Sequence, residues 1–157
     1  LFETGTAYDI IIVTARRDLK APNGTKSKQF ATAQAQWAPV AARGTNLVAI
    51  ADNPLIPDAR VDCVIDAASD AAARACRVSE QSAYRLTDGL AQAARSSSDV
   101  ALIDDSRWFC RAGTCPMVVG GVVVYRDRDH MTATYSRTLA PFLVAAITAA
   151  AGEPARK

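Results

Sequence analysis

The segment YRDRDHMT, which spans residues 125–132, contains the only histidine of the chain, His130. An imidazole can take the proton of a serine hydroxyl at neutral pH, because its ordinary pKa is near ~6.5. Such a base needs a carboxylate that holds the ring by its other nitrogen and stabilises the imidazolium ion. Asp127, three residues earlier, can fold back onto His130, whereas Asp129 is adjacent and is expected to point elsewhere. The spacing fits a carboxylate–histidine pair, and a solvated surface cluster is the alternative interpretation.

The remaining sequence restricts which reaction such a pair could serve. A single histidine excludes a two-histidine metal site. Neither Gly-Asp-Ser nor Gly-x-Ser-x-Gly occurs, Ser106 lies far from a nucleophile's usual place, and Ser27 is more simply a helix cap. No glycine-rich phosphate loop follows a strand-like run. We therefore expect no metal and no cofactor, and we place the nucleophile outside these 157 residues.

The four cysteines form two sequence-local pairs, with spacings C-x12-C and C-x4-C. Zinc sites favour short C-x2-C knuckles, so these spacings argue against zinc. Four buried reduced thiols remain an alternative. An even count in adjacent pairs favours two disulfides, Cys63–Cys76 and Cys110–Cys115, and with them an oxidising, extracytoplasmic setting.

Length and composition indicate one globular domain. The chain has 157 residues, half of them hydrophobic and 22% charged, which excludes general disorder. The net charge is +2 and no block of five like charges occurs, so nucleic acid is not an expected partner. The longest apolar run, residues 139–152, is shorter than the ~20 residues that a transmembrane helix needs.

Buried strand-like runs alternate with helical patterns along the chain. The strands are expected at residues 9–14, 46–51 and 99–104, and the helices at 27–42, 67–75, 81–95 and 132–151. A proline-containing loop covers residues 52–62. Pro39 and Pro141 are expected to kink or interrupt their helices. Gly120-Gly121 predicts the tip of a small hairpin before the histidine segment. This alternation favours an α/β fold, a three-layer sandwich with a mostly parallel sheet.

The sequences LIDDSRWFC, GTCP and VVGGVVVYRDRDHMT, in this order, resemble the end of an SGNH-type hydrolase domain. The resemblance is closest to the extracytoplasmic SGNH domain that is fused to the membrane part of acyltransferase-3 proteins. That family pattern has a strand ending in Asp, a Cys, a short loop, Cys-Pro, a hairpin, and then Tyr-x-Asp-x-x-His. The resemblance implies an SGNH/flavodoxin-like fold, with residues 1–157 as the C-terminal part of one domain.

The resemblance also implies a function. These proteins transfer or hydrolyse O-acyl groups, usually acetyl, on cell-envelope glycans or glycolipids, and their SGNH domain is tethered to the membrane. Asp127 would orient His130, which would deprotonate a serine in the Gly-Asp-Ser block after the first strand. That block and strand are absent here, so we expect a nearly inactive chain with an open, apolar sheet edge. The alternatives are a non-catalytic module that binds glycan or docks on the membrane domain, and a flavodoxin-like domain in which Asp127 and His130 are not hydrogen-bonded.

The family's oxyanion-donating Asn is not visible after the first strand-like run, where Ala15-Arg16-Arg17 stand. By position, Arg16 or Arg17 could face the site, and a solvated surface arginine is the alternative. Asn53, which precedes Pro54, is expected to be a turn residue rather than an oxyanion donor.

Overall fold

The computed structural model describes residues 8–17, 20 and 28–152. In chain order its elements are β1 (Ile10–Val13), α1 (Lys28–Ala41), β2 (Asn46–Ile50), α2 (Asp58–Ile65), α3 (Asp70–Ala75), β3 (Arg77–Ser79), α4 (Glu80–Ala83), α5 (Gly89–Arg95), β4 (Val100–Ile103), α6 (Ser106–Phe109), β5 (Thr114–Pro116), β6 (Val118–Val119), β7 (Val122–Val123) and α7 (Ala133–Gly152).

The chain divides into two compact units. The first, called the sheet unit, comprises Leu1–Asp52, Leu86–Asp104 and Val144–Lys157. The second, called the histidine unit, comprises Asn53–Arg85 and Asp105–Leu143.

The sheet unit contains a parallel sheet with the strand order β1-β2-β4. Ile11 pairs with Leu47, and Leu47 pairs with Val100 on the other side of β2. All three predicted strands are therefore confirmed, as is the α/β class with a parallel sheet and flanking helices. The strand β1 is more exposed than its apolar run predicts, because β2 is its only strand neighbour among the described residues. Ile10 is 37% and Ile12 46% exposed, which leaves an apolar edge.

Helix α1 packs one apolar face into the sheet unit's core. Ala33 and Trp37 are buried there, and Phe30 and Val40 pack against the same cluster, as the helical pattern predicts. Pro39 lies inside this helix, close to its end. Gly44 follows the helix with a φ of +82°, the left-handed conformation that favours glycine after a helix.

The predicted helix over residues 81–95 is wrong in its continuity, because the chain leaves the helix after Ala83 and starts α5 at Gly89. Asp88 favours the start of α5 at this point, because its carboxylate accepts a hydrogen bond from the N–H of Ala91 at 2.8 Å. Asp88 is thus the N-cap of α5 and satisfies one of the unpaired N–H donors at the helix start.

The predicted loop over residues 52–62 and helix over 67–75 are only partly right. A helix, α2, already begins at Asp58, directly after Pro57, and α3 begins at Asp70. Ser69 caps α3 by accepting a hydrogen bond from the N–H of Ala72 at 3.2 Å. Neither helix contains a fully buried residue, although Val61, Cys63 and Val64 of α2 pack against the core of the histidine unit. The helices have only 8 and 6 residues, and periodicity is a weak signal over so short a length.

The terminal helix α7 is confirmed, but the predicted interruption at Pro141 is wrong, because the helix runs through it from Ala133 to Gly152. Proline removes one main-chain hydrogen bond, and a helix of 20 residues keeps the others. Among the residues that the structure describes, no helix is long and apolar enough to cross a membrane.

The core of the histidine unit is built around three aromatic rings. Phe109 stacks on Tyr125 with ring centroids 6.1 Å apart, and it lies 5.9 Å from Tyr135. A short antiparallel pair, β3 with β5, was not predicted. The hairpin β6–β7 is confirmed, and its tip residues Gly120 and Gly121 have φ values of +58° and +81°. Two consecutive left-handed residues are the geometry of a two-residue hairpin turn.

The predicted disulfides are confirmed, and they account for all four cysteines. Cys63 is bonded to Cys76 and Cys110 to Cys115, with Cα atoms 6.0 and 4.0 Å apart. The free-thiol and zinc alternatives are therefore wrong. The first disulfide joins α2 to the end of α3, two helices without buried residues.

We expect the double substitution Cys63→Ala/Cys76→Ala to lower the free energy of unfolding by about 3 kcal/mol, because it frees a closed loop in the unfolded chain. Urea unfolding under oxidising conditions measures this change. Gln81→Ala, at an exposed position of α4, is the matched control and should change stability by less than ~0.5 kcal/mol. A loss below about 1 kcal/mol in the double variant would contradict a stabilising role for this disulfide.

Candidate active site

The segment between β7 and α7 forms a closed loop in the histidine unit. Tyr125 and Met131 form an isolated antiparallel bridge at its neck. Inside the neck, the N–H of Arg126 donates to the carbonyl of His130 at 2.9 Å. Tyr125 is 2% exposed and anchors one end of the loop in the core.

The other end of the loop is fixed by Thr132 at the start of α7. The Thr132 hydroxyl donates to the carbonyl of Val123 at 2.6 Å, and it accepts the N–H of Tyr135 at 3.1 Å. The hydroxyl of Tyr135 in turn donates to the carbonyl of Trp108. Both ends of the loop are thus held by the packed part of the unit, so the loop has little freedom.

Asp127 folds back onto His130, as the spacing predicts. Its carboxylate oxygens lie 2.8 and 3.0 Å from the Nδ1 atom of His130. The Oδ1 atom also accepts the backbone N–H groups of Asp129 at 3.1 Å and of His130 at 2.9 Å. A carboxylate at Nδ1 places the ring proton there, which leaves the lone pair on Nε2. The imidazole is 62% exposed, so Nε2 is accessible to a reacting group.

Asp129 does not point elsewhere, and that expectation is wrong. Its Oδ1 atom lies 3.3 Å from Nδ1 of His130, and its side chain is 19% exposed. The turn that Asp127 organises brings the neighbouring carboxylate back to the same ring nitrogen. Two carboxylates therefore face Nδ1, and Asp127 is the nearer one.

The pKa of Asp127 lies well below the usual range of an aspartate. Partial desolvation raises this pKa, but several hydrogen bonds lower it further than desolvation raises it. Their donors are the N–H of Asp129, the ring of His130, the guanidinium of Arg126 and the N–H of His130. The carboxylate is therefore ionised at neutral pH, as a group that stabilises an imidazolium ion must be.

We expect Asp127 to titrate below the ordinary aspartate pKa of ~3.9, so that acidification from pH 7 to pH 4 leaves its loop hydrogen bonds intact. Since the folded-state pKa is lowered, these bonds contribute fully above the unfolded-state pKa and are lost as the pH falls through the folded-state value. The NMR shifts of the Asp129 and His130 amides report the titration. A midpoint near pH 4 would contradict the hydrogen-bond network.

Asp127, Asp129 and His130 each place one possible ligand atom within 4.8 Å of the others. These atoms already take part in the hydrogen bonds around Nδ1, and magnesium and calcium prefer six or more oxygen ligands. We therefore assign these groups to the carboxylate–histidine pair and not to a metal.

Arg17 is buried in the sheet unit, so the interpretation as a solvated surface arginine is wrong for it. Its N–H donates to the carboxylate of Asp52 at 2.8 Å, and its guanidinium donates to the carbonyls of Asp52 at 2.8 Å and Leu86 at 3.1 Å. It follows β1 and binds the residues that follow β2. Arg17 therefore ties together the chain segments at the carboxyl ends of two parallel strands.

Two aspartates that we did not predict complete this buried network. The carboxylate of Asp88 accepts the N–H of Asp52 at 2.8 Å, caps α5, and lies 3.9 Å from the Arg17 guanidinium. The pKa of Asp52 is raised, mainly because the carboxyl group is partly buried. The N–H and the charge of Arg17 and the charge of Arg16 lower this pKa, whereas the charge of Asp88 raises it further. The sequence does contain a signal for the N-cap of α5: Asp88, a residue type that caps helices, stands directly before Gly89 and an alanine-rich run.

The structure also describes Ser106 and Asn53. Ser106 starts α6, whereas Ser27 lies outside the described residues. Asn53 does more than form a turn. Its side-chain amide donates to the carbonyl of Pro54 at 3.2 Å and to the carbonyl of Asp129, in the histidine loop, at 3.1 Å.

The histidine unit also has an open, mostly apolar groove of about 450 Å³. Trp108, Val119, Leu139 and Phe142 contribute to its lining, with Arg107 beside them. Phe142 is 59% exposed.

Comparison with known proteins gives a family match over almost the whole chain. The family described as "SGNH domain (fused to AT3 domains)" matches residues 2–145. No curated protein and no solved structure shows significant similarity to the chain.

Proposed function

Because this chain belongs to the family of SGNH domains fused to AT3 (acyltransferase-3) domains, we propose that it supplies the base of an O-acyl transfer or ester hydrolysis reaction. The observation that carries the proposal is the 2.8 Å contact between Asp127 and Nδ1 of His130, beside an exposed imidazole. In this proposal the chain is the C-terminal part of one SGNH domain, and the serine belongs to the upstream Gly-Asp-Ser block of that domain.

The chemistry follows the two ring nitrogens. Nε2 of His130 takes the proton of the serine hydroxyl while the oxygen attacks the acyl carbonyl carbon. Asp127 stays ionised and balances the imidazolium charge. The tetrahedral intermediate collapses to an acyl-serine, and the imidazolium returns the proton to the leaving group. A sugar hydroxyl or water then attacks the acyl-serine while Nε2 takes the proton of the attacking group. The bond between the acyl group and the serine oxygen breaks, and the imidazolium passes that proton to the serine oxygen.

The substrates of this proposal are an acyl group, acetyl in the first instance, and a glycan or glycolipid acceptor at the cell envelope. Two observations support this setting. Both disulfides need an oxidising compartment to persist, which favours an extracytoplasmic location. The family joins this domain to an acyltransferase domain, which we propose as its membrane-bound partner within the parent protein.

The apolar groove favours a second candidate, a glycan-binding module without catalysis. Exposed aromatic residues such as Phe142 offer a flat apolar face, and Arg107 offers hydrogen-bond donors beside it. This candidate does not use the carboxylate–histidine pair.

A fluorophosphonate serine probe, read by intact mass, distinguishes the two candidates. Three proteins are compared: this chain, the chain extended upstream through the Gly-Asp-Ser block, and the extended chain with His130→Ala. We expect the extended wild type alone to be labelled. Asp99→Asn, an exposed carboxylate in the sheet unit, is the matched control and should label like the wild type.

Failure of the extended wild type to label would overturn the serine-enzyme proposal and favour the glycan-binding candidate. Labelling of the short chain would show that the nucleophile lies within it and that its placement upstream is wrong.

A further inference from the structure

The histidine loop is held from behind by residues 53–56, which lie far from it in sequence. The amide of Asn53 donates to the carbonyl of Asp129 at 3.1 Å, and the N–H of Ile56 donates to the carbonyl of Arg128 at 2.7 Å. Two consecutive carbonyls of the loop are thus bound by this one segment. We propose that Asn53 is a positioning residue for His130. Asn53 acts through Asp129 and keeps Asp127 as the partner of Nδ1 of His130.

The bracing segment is itself rigidly placed in the histidine unit. Ile56 is fully buried in the core. The N–H of Leu55 donates to the carbonyl of Ala83 at 3.0 Å, and the Arg85 guanidinium donates to the carbonyl of Leu55 at 3.2 Å. A donor on such a fixed support can define the orientation of the peptide group it binds.

The orientation of that peptide group decides which carboxylate reaches the imidazole. The residue that Asn53 binds, Asp129, also directs its N–H to Asp127 and its carboxylate to within 3.3 Å of Nδ1. Its backbone and side chain are therefore coupled. Without the Asn53 bond, the carbonyl of Asp129 is free to turn, and its carboxylate competes with Asp127 for the ring proton.

This proposal takes its catalytic meaning from the proposed function, but its test does not need catalysis. His130 is the only histidine, so the imidazole signals in long-range proton–nitrogen NMR spectra of this chain are unambiguous. We expect the wild type to show one tautomer with the proton on Nδ1. We expect Asn53→Ala to show exchange between two environments, with the His130 backbone N–H exchanging about fivefold to tenfold faster, as expected for one lost hydrogen bond.

Asn53→Asp has the same size and lacks the donor, so it should behave like Asn53→Ala and serves if the alanine variant does not fold. The decisive variant is Asn53→Ala/Asp129→Asn, which removes the competing carboxylate and should restore the single wild-type imidazole signal. A loss of packing alone would not be repaired by that change.

A single imidazole environment, unchanged from the wild type, in Asn53→Ala and Asn53→Asp would overturn the positioning role. Failure of Asp129→Asn to restore the signal would overturn the competition between the carboxylates. The probe-labelling experiment gives a separate answer. Absent labelling with a positive NMR result would reject the acyl-transfer proposal and keep the positioning of His130, whereas labelling with a negative NMR result would do the reverse.

Discussion

We expect the replacement of Asp127 by asparagine to lower the rate of acyl-serine formation by about 10⁴-fold in the extended protein of the proposed function, which carries a Gly-Asp-Ser block upstream of this chain. The amide oxygen of asparagine can still accept the N–H groups of Asp129 and His130, so the loop keeps its shape. The negative charge that balances the imidazolium is lost, however, because an amide is neutral. Where its NH₂ group faces Nδ1, the ring proton moves to Nε2, which can then no longer accept the proton of a serine.

The burst of p-nitrophenolate from p-nitrophenyl acetate measures this rate. His130→Ala should lose a similar factor, and the double variant should lose little more, because residues that act as one unit are not additive. Asp99→Asn is again the control and keeps the wild-type rate. If Asp127→Asn retained more than about a tenth of the rate, Asp127 would not be the residue that orients the base.

Replacing Asp88 by alanine lowers the free energy of unfolding by about 3–5 kcal/mol. The substitution removes a carboxylate that lies 3.9 Å from the Arg17 guanidinium, which is 8% exposed. It also removes the N-cap of α5 and the acceptor of the Asp52 N–H. The desolvation cost of the guanidinium is then offset by fewer negative charges, and this makes the effect large.

Urea unfolding of the chain measures the loss as a shift in midpoint. The double variant Arg17→Met/Asp88→Ala should be more stable than Asp88→Ala alone, because it also removes the guanidinium whose desolvation cost Asp88 helped to offset. Asp99→Ala provides the surface control, with a change below ~0.5 kcal/mol. A loss of less than about 1 kcal/mol for Asp88→Ala would mean that the network does not stabilise the sheet unit.

The parallel sheet could be predicted because its signal is local. Ile10–Val13, Asn46–Ile50 and Val100–Ile103 are short, mostly apolar runs that contain β-branched residues, and polar residues stand within two positions of both ends of each run. The hairpin had an equally local signal in Gly120-Gly121, and the disulfides followed from the adjacency of the cysteines. In each case the residues that carry the signal also make the contact.

The histidine unit was harder to predict because most of its elements are short. Helices α2 and α3 have no buried residues, and the pairing of β3 with β5 joins strands of three residues. The break between α4, in the histidine unit, and α5, in the sheet unit, depends on a cap at Asp88, which competes with the helical pattern around it. Short elements of this kind are selected by tertiary contacts rather than by periodicity.

The same division applies to the candidate site. Asp127 and His130 are three residues apart, and their contact follows from spacing alone. Asn53 reaches the loop across a sequence separation of 76, and Arg17 reaches Asp52 across 35. No pattern in one sequence specifies such contacts. The pair of Asp127 and His130 was therefore predictable, whereas the contact of Asn53 with the loop and the partners of Arg17 were not.

The placement of the cross-links has a consequence for how the protein matures. Both disulfides lie in the histidine unit, and the sheet unit contains no cysteine. While the thiols stay reduced, the histidine unit, which bears His130, lacks the two disulfides that close its loops. The sheet unit loses no covalent restraint. We therefore expect disulfide formation to stabilise the part of the chain that bears the candidate active site more than it stabilises the sheet unit.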